Sequence, residues 1–145
     1  MNPYLNFPNG DCRAAFDFYQ RALGAECLFS HTWAESPMAD QAPGGDGGRI
    51  MHATLRFPDG SLLMGADCPP EYATPFGGFS LSINARDVAE AERLFSGISE
   101  GGKVTMPLEK TFWAERFGMC IDRFGVAWMV NCEMRAEGGQ ESAAG

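Results

Sequence analysis

Two histidines are the first candidates for chemistry in this chain of 145 residues, because imidazole titrates near neutral pH and is a common metal ligand. His31 and His52 stand in no spacing typical of a metal site, and His31 lies beside a predicted loop. An unbulged two-residue hairpin at Asp59-Gly60 would pair Leu55 with Met64. His52 would then point to the helix-covered face, where a structural role is favoured over a pocket role. A bulge would reverse its direction.

Arg116 and Cys120 are the next candidates, since strand alternation places both on the predicted face of Met129. An arginine in an apolar cleft would favour an anionic ligand such as a carboxylate or a phosphonate. Pairing of Arg116 with Glu115 or Glu109 is the alternative. Cys120 would need a cationic neighbour to become a nucleophile, and Arg116 could supply that charge.

Trp33 and Trp113 flank predicted loops near strand ends, where each could contact the core, a second chain or a ligand. No Ser-His-Asp, Cys-His or paired-carboxylate arrangement is positioned by the sequence, so no catalytic residue is assigned.

The cysteines indicate a reducing environment, because their number is odd and none forms a CxxC pair. They are Cys12, Cys27, Cys68, Cys120 and Cys132. This pattern favours reduced thiols over a disulfide framework or a structural zinc site.

The charge and hydropathy of the chain exclude several partners. A net charge of −8 repels phosphate backbones, so no nucleic-acid partner is expected. No apolar run is long enough to cross a bilayer, and the first residues, MNPYLNFPNGD, lack the basic start and apolar core of a signal peptide. These features predict a cytoplasmic protein without a membrane partner.

The first half of the chain predicts one helix among four strands. Asp11 is a suitable helix N-cap, an apolar stripe follows at helical spacing, and Gly24 is a suitable C-cap. The predicted strands are 3–7, 26–32, 50–57 and 61–66. Residues 35–48 are rich in Gly, Pro and Asp and predict a long mobile loop.

The second half repeats this pattern after a linker at 67–78. Asp87 begins a helix with an apolar stripe, and Gly101-Gly102 ends it. The predicted strands are 79–84, 103–107, 116–121 and 126–132. Gly60 matches Gly125 and Met64 matches Met129, which indicates an internal repeat.

The repeat predicts an α+β fold in which two tandem βαβββ units form a curved mixed sheet around a cleft, with the helices outside. Residues 1–133 would form a single domain, with unit 1 at about 3–66 and unit 2 at about 79–132. Residues 134–145 would be a frayed polar tail.

Three segments carry a family resemblance: GDCRAAFDFYQRALGAE, MHATLRFPDGSLLMGAD and FWAERFGMCIDRFGVAWMVN. The chain resembles the vicinal oxygen chelate superfamily (the glyoxalase, bleomycin-resistance and dioxygenase fold) and, within it, the PhnB-like branch. That branch is also labelled a demethylubiquinone methyltransferase-like domain. The sequence has no Gly-rich strand-to-helix loop for S-adenosylmethionine, so we do not expect methyltransferase activity.

The resemblance also implies where a metal would bind. Carried over residue by residue, the four ligand positions of the metal-dependent relatives fall on Tyr4, Met64, Phe79 and Met129. None of these is a ligand for a hard divalent cation, so we expect neither a metal nor another cofactor. We expect the four residues to form a pocket floor, with Arg116 as the polar group and loop 35–48 as the cover.

The sequence therefore favours a small-molecule-binding protein that lacks the catalytic metal of its family, with an anionic or aromatic ligand. A metal-dependent isomerase, dioxygenase or thiol transferase is the alternative, and a purely dimerising module is a third reading. Whether the chain is an enzyme stays open. We expect a homodimer, because the resemblance implies one and the chain has eleven Phe and eight Met.

Overall fold

The structure, a computed structural model, describes residues 1–134 and shows the order βαβββ twice. The predicted tail lies, from residue 135 on, outside the described residues. Within the described part of the chain, no helix is long and apolar enough to cross a membrane. The chain divides into unit 1, Met1–Pro75, and unit 2, which begins at Phe76.

Unit 1 is a four-stranded mixed sheet with one helix. Its elements are β1 (Tyr4–Phe7), α1 (Cys12–Leu23), β2 (Glu26–Thr32), β3 (Ile50–Arg56) and β4 (Leu62–Asp67). The strand order is β1-β4-β3-β2, with β1 parallel to β4 and the other pairs antiparallel. The helix contacts β2, β3 and β4 and covers one face of the sheet, and on the opposite face Tyr4 and Phe29 are exposed.

Unit 2 repeats this arrangement. Its elements are β5 (Leu81–Ala85), α2 (Val88–Ser99), β6 (Lys103–Glu109), β7 (Ala114–Ile121) and β8 (Ala127–Glu133). The strand order is β5-β8-β7-β6, with β5 parallel to β8. The prediction of an α+β fold with two βαβββ units is therefore confirmed.

The helices form where the apolar stripes predict them. In α1 the buried residues are Cys12, Ala15, Phe16, Phe18, Tyr19 and Leu23. Gly24 ends α1 in the left-handed conformation, and its N–H donates to the carbonyl of Gln20. Asp87 caps α2 by accepting a hydrogen bond from the Glu90 N–H. Asp11 precedes α1 without a side-chain cap.

The first hairpin differs from the prediction by one residue. Arg56 pairs with Leu62, and the loop is Pro58-Asp59-Gly60, closed by a hydrogen bond from the Phe57 N–H to the Ser61 carbonyl. Gly60 has φ +90°, the geometry of a three-residue turn with a bulge. Thr54, and not Leu55, therefore pairs with Met64. The placement of His52 on the helix-covered face was wrong. The extra loop residue shifts the pairing of β3 with β4 by one position, so each side chain of β3 lies on the face opposite to the predicted one.

The second hairpin has the same bulge. Ile121 pairs with Ala127 across a loop that ends at Gly125, which has φ +92°. Met119 is therefore the partner of Met129. The prediction that Arg116 and Cys120 share the face of Met129 was wrong, because the loop has three residues where the predicted strands leave four. This shift of one residue in the pairing places both side chains on the helix-covered face.

The start of the second repeat also differs from the prediction. Strand β5 begins at Leu81, so Phe79 lies before it, and Ser82 is the partner of Met129. Since Tyr4 is the partner of Met64 in unit 1, the residue equivalent to Tyr4 is Ser82. The match of Phe79 with Tyr4 was wrong by three residues. Strand β5 begins two residues after the predicted start at 79, and Tyr4 is the first residue of β1 whereas Ser82 is the second residue of β5.

Loop 35–48 is not structureless. It contains two short 3₁₀ turns, Ala39–Gln41 and Pro43–Gly45. The Arg13 guanidinium of α1 donates to the Gly48 carbonyl, and the Ala34 N–H donates to the Gly47 carbonyl. The first bond holds the end of the loop against the start of α1, and the second joins the two ends of the loop.

Candidate functional site

Six side chains gather on the face of the unit 1 sheet that α1 leaves uncovered, and we call this surface the His52 face. They are Tyr4, Phe29, His31, His52, Thr54 and Met64. The strand register brings them together: Met64 pairs with Tyr4 on one side and with Thr54 on the other. On β2, Phe29 pairs with Thr54 and His31 pairs with His52. Partners in a ladder share a face, so all six point the same way.

The imidazole of His52 is held between two hydroxyl groups. The Tyr4 hydroxyl lies 3.1 Å from Nδ1 of His52, and the Thr54 hydroxyl lies 3.3 Å from Nε2. Strand β4 separates β1 from β3, so the Tyr4 and His52 side chains meet above it. Both ring nitrogens have a partner that can donate or accept, which fixes the orientation of the ring.

Aromatic rings surround this imidazole. Phe29 stacks on His52 with a centroid distance of 5.4 Å and an interplanar angle of 27°. Phe29 also lies 5.6 Å from the His31 ring, and Tyr4 lies 5.5 Å from the His52 ring. The result is an apolar wall beside a hydrogen-bonded polar centre, the combination that small-molecule sites use.

The solvent exposure of the side chains differs across the His52 face. Tyr4 is 42% exposed and Phe29 is 45% exposed, whereas Thr54 is only 4% exposed. His52 and Met64 are half-buried between these extremes. The hydrogen-bonded chain therefore runs from a buried hydroxyl at Thr54 to an accessible hydroxyl at Tyr4.

The electrostatics of the face keep the phenol protonated. Partial burial raises the pKa of Tyr4, with a smaller contribution from Cys12, so the phenolate is disfavoured. Further along this face, Arg56 forms an ion pair with Glu26 at 3.4 Å. The centre of the face thus presents hydroxyl, imidazole and thioether groups, and none of its six side chains is a carboxylate, a lysine or an arginine.

Arg116 and Cys120 lie on the helix side of unit 2. The Arg116 Nε is 4.0 Å from the Glu92 carboxylate of α2, and its Nη1 donates to the Glu115 carbonyl. Cys120 is 1% exposed, and burial raises its pKa to about 11. An activated cysteine nucleophile needs an accessible thiol with a lowered pKa, so Cys120 does not have the properties of one.

Trp113 lies at the edge of the uncovered face of unit 2. Its ring contacts Phe117 at 5.5 Å, and Phe117 shares the face of Met129. Phe79 contacts Phe76 at 6.4 Å. Ligand contacts of Trp113, Phe79 and Met129 stay predictions.

The positions that the resemblance assigns to a metal do not fit a hard divalent cation. Within unit 1 they hold the phenol of Tyr4 and the thioether of Met64. Within unit 2 they hold Met129 and, where the prediction had Phe79, Ser82. Such cations prefer carboxylate and imidazole ligands. Among the residues that the structure describes, no three His, Cys, Asp or Glu side chains form a group that could hold a metal ion.

Sequence reasoning missed Asp67, which it placed in a linker. Asp67 ends β4 and is 1% exposed, and its carboxylate accepts hydrogen bonds from the N–H groups of Cys12 (3.0 Å) and Ile50 (2.8 Å). Its carbonyl accepts a hydrogen bond from the Trp33 indole at 3.3 Å. Asp67 thus caps α1 from a distance and ties the loop to the sheet, a long-range role that no local signal reveals.

Comparisons with known proteins identify relatives of this chain. The chain is 37% identical to Protein YjdN of Escherichia coli over 139 residues, covering 90% of this chain and 93% of YjdN. It is 46% identical to the crystal structure of protein PA1353 from Pseudomonas aeruginosa, with a TM-score of 0.82 and coverage of 92% and 96%.

A further solved structure supports the fold alone. It is a Bacillus cereus protein described as a putative 3-demethylubiquinone-9 3-methyltransferase, PhnB protein. The identity is 23%, the TM-score 0.73 and the coverage 91% of this chain and 98% of that one.

The family model of the Glyoxalase/Bleomycin resistance protein/Dioxygenase superfamily matches residues 3–130. The chain therefore belongs to the Glyoxalase/Bleomycin resistance protein/Dioxygenase superfamily.

Proposed function

We propose that the chain binds a small aromatic molecule on the His52 face. The observation that carries the proposal is the oriented imidazole of His52, held by two hydroxyls and stacked by the accessible ring of Phe29. An aromatic ring left on a solvated sheet face gains nothing from burial until something covers it. A ligand ring against Phe29 would supply that burial, and Tyr4 would supply a directional contact.

We also propose that this binding needs no divalent metal. The support is the chemistry of Tyr4, Met64, Ser82 and Met129, which offer no carboxylate or imidazole at the positions where metal-dependent relatives hold their ion. Elemental analysis of purified, dialysed protein tests this point. One bound zinc, nickel, manganese or iron per chain would contradict it and would favour a metal-dependent isomerase, dioxygenase or thiol transferase.

The five cysteines support a reducing compartment such as the cytoplasm as the place where the protein works. All five are free thiols in the structure, and four of them are buried. Free thiols persist where glutathione and thioredoxin keep them reduced.

The experiment that tests the proposed binding is a thermal-shift screen with neutral, anionic and cationic aromatic fragments. A ligand at ten times its Kd stabilises the folded state by about 1.4 kcal/mol, which raises Tm by roughly 2–6 °C. We expect Phe29→Ala to remove the shift, and Phe112→Ala, which truncates an exposed ring in unit 2, to preserve it. Shifts that survive Phe29→Ala would contradict the site.

A further inference from the structure

We infer that the ligand of the His52 face is a neutral planar molecule with a carbonyl-type oxygen, and that this oxygen accepts a hydrogen bond from the Tyr4 hydroxyl. The inference rests on the proposed function and names its ligand class. It follows from the direction in which hydrogen bonds must run between Thr54, His52 and Tyr4.

The buried end of the chain fixes that direction. Thr54 is 4% exposed, and within the described residues His52 is the one hydrogen-bond partner of its hydroxyl. If the Thr54 oxygen accepted from Nε2, its own O–H would be a buried donor without an acceptor, which is unfavourable. The Thr54 hydroxyl therefore donates to Nε2.

The tautomer of His52 follows from this donation. With Nε2 as the acceptor, the neutral ring carries its proton on Nδ1, and Nδ1 donates to the Tyr4 oxygen at 3.1 Å. The Tyr4 hydrogen then points away from the ring. Tyr4 is 42% exposed, so this hydrogen is presented to the outside of the face. The raised pKa of Tyr4 keeps the hydrogen in place at neutral pH.

The surroundings select a neutral, planar ligand. Phe29 offers the face of a ring, and Met64 offers an apolar thioether chain on β4. The guanidinium of Arg56, on the same face of β3, is paired with Glu26, and the chain as a whole carries a net charge of −8. An anion would meet the negative field of the chain and a guanidinium that is already paired, whereas a carbonyl oxygen needs only the Tyr4 donor.

Three probes that differ in one group test the inference: acetophenone, ethylbenzene and benzoate. Their dissociation constants would be measured by NMR titration of the wild type and of Tyr4→Phe. We expect the wild type to bind acetophenone roughly three- to tenfold more tightly than ethylbenzene, the gain of one neutral hydrogen bond. Tyr4→Phe should equalise the two probes, while Tyr72→Phe, an exposed tyrosine of the same unit, should preserve the difference.

Thr54 acts as a positioning residue, and its variants separate this role from simple packing. Thr54→Val keeps the shape but removes the donor to His52, so the preference for acetophenone should fall while the affinity for ethylbenzene stays constant. Thr54→Ser should restore the preference. Equal changes for both probes would show a packing effect and overturn the hydrogen-bond chain.

Two further outcomes overturn the inference. One is tighter binding of benzoate than of acetophenone, and the other is equal binding of acetophenone and ethylbenzene by the wild type. If none of the three probes binds, the ligand class is wrong. The proposed function would then stand or fall separately, on the broader fragment screen with Phe29→Ala.

Discussion

At the scale of single residues, the role of His52 depends on which face of the sheet its side chain occupies. Its type was evident from the sequence, but its face depended on one residue in a hairpin. Once the bulge at Gly60 is counted, His52 joins Tyr4 and Met64, and both of its ring nitrogens find hydroxyl partners. A histidine held in this way is oriented before any ligand arrives.

Asp67 predicts a pH dependence of stability. Burial raises its pKa above the ordinary value of about 3.9, against the opposing effect of two N–H donors. The folded state then binds the proton more tightly than the unfolded state. The stabilisation from this proton is fully present below the ordinary pKa and is lost as the pH rises through the raised value.

The test compares the wild type with Asp67→Asn, which has no carboxyl to titrate. We expect the free energy of unfolding of the wild type, minus that of the variant, to decrease as the pH rises from the ordinary pKa of about 3.9 through the raised pKa of Asp67. Urea unfolding at several pH values measures both quantities. A difference that grows with pH would mean that the Cys12 and Ile50 N–H groups outweigh burial.

The thiols give a second prediction at this scale. Cys27 is the one exposed thiol, whereas Cys120 is buried with a pKa raised to about 11. We expect a thiol reagent to modify about one cysteine per native chain at neutral pH, because reactivity requires an accessible thiolate. Cys27→Ser should abolish this modification. Rapid labelling of Cys120 in the native protein would contradict its placement in the core.

At the scale of elements, the two hairpins decide which side chains face the site. Each has a three-residue loop that ends in a glycine with positive φ, Gly60 or Gly125. The added residue relative to a two-residue turn exchanges the faces of the strand before it. A shift of one residue in the pairing of each hairpin explains why His52, Arg116 and Cys120 were all placed on the wrong face.

The free-energy cost of a non-glycine residue in this turn can be measured at Gly60. A Cβ there would meet no atom within 4 Å, so Gly60→Ala tests only the strain at φ +90°. We expect a loss of roughly 1–2 kcal/mol in the free energy of unfolding. Gly77→Ala is the matched control, because its φ is not in the left-handed region and its Cβ would also meet open space. Equal effects of the two variants would contradict the bulged geometry.

Local patterns were sufficient to predict the elements of this chain but not their register. The apolar stripes of α1 and α2 and the turn residues between strands determined the βαβββ order, because each depends on neighbours in sequence. The face of Arg116 depended on the geometry of a turn, and the start of β5 at Leu81 depended on pairing with β8. The burial of Asp67 depended on backbone donors 17 and 55 residues away.

At the scale of the whole molecule, exposed apolar side chains support the proposal of a homodimer. Phe112 is 89% exposed, and Trp113, Val104 and Met106 are each more than 40% exposed. Apolar surface of this kind is commonly covered by a second copy. We expect light scattering at micromolar concentration to give twice the 15.7 kDa mass of one chain. The mass of a single chain would contradict the dimer.

The central claim is that ligands bind on the His52 face. The most direct measurement is NMR of the methionine methyl groups and histidine rings during titration with the fragments that stabilise the protein. The account predicts that the methyl signal of Met64 and the ring signals of His52 shift together, and that Phe29→Ala removes both shifts. Fragments that bind while Met64 and His52 stay unperturbed would place the site elsewhere and contradict the claim.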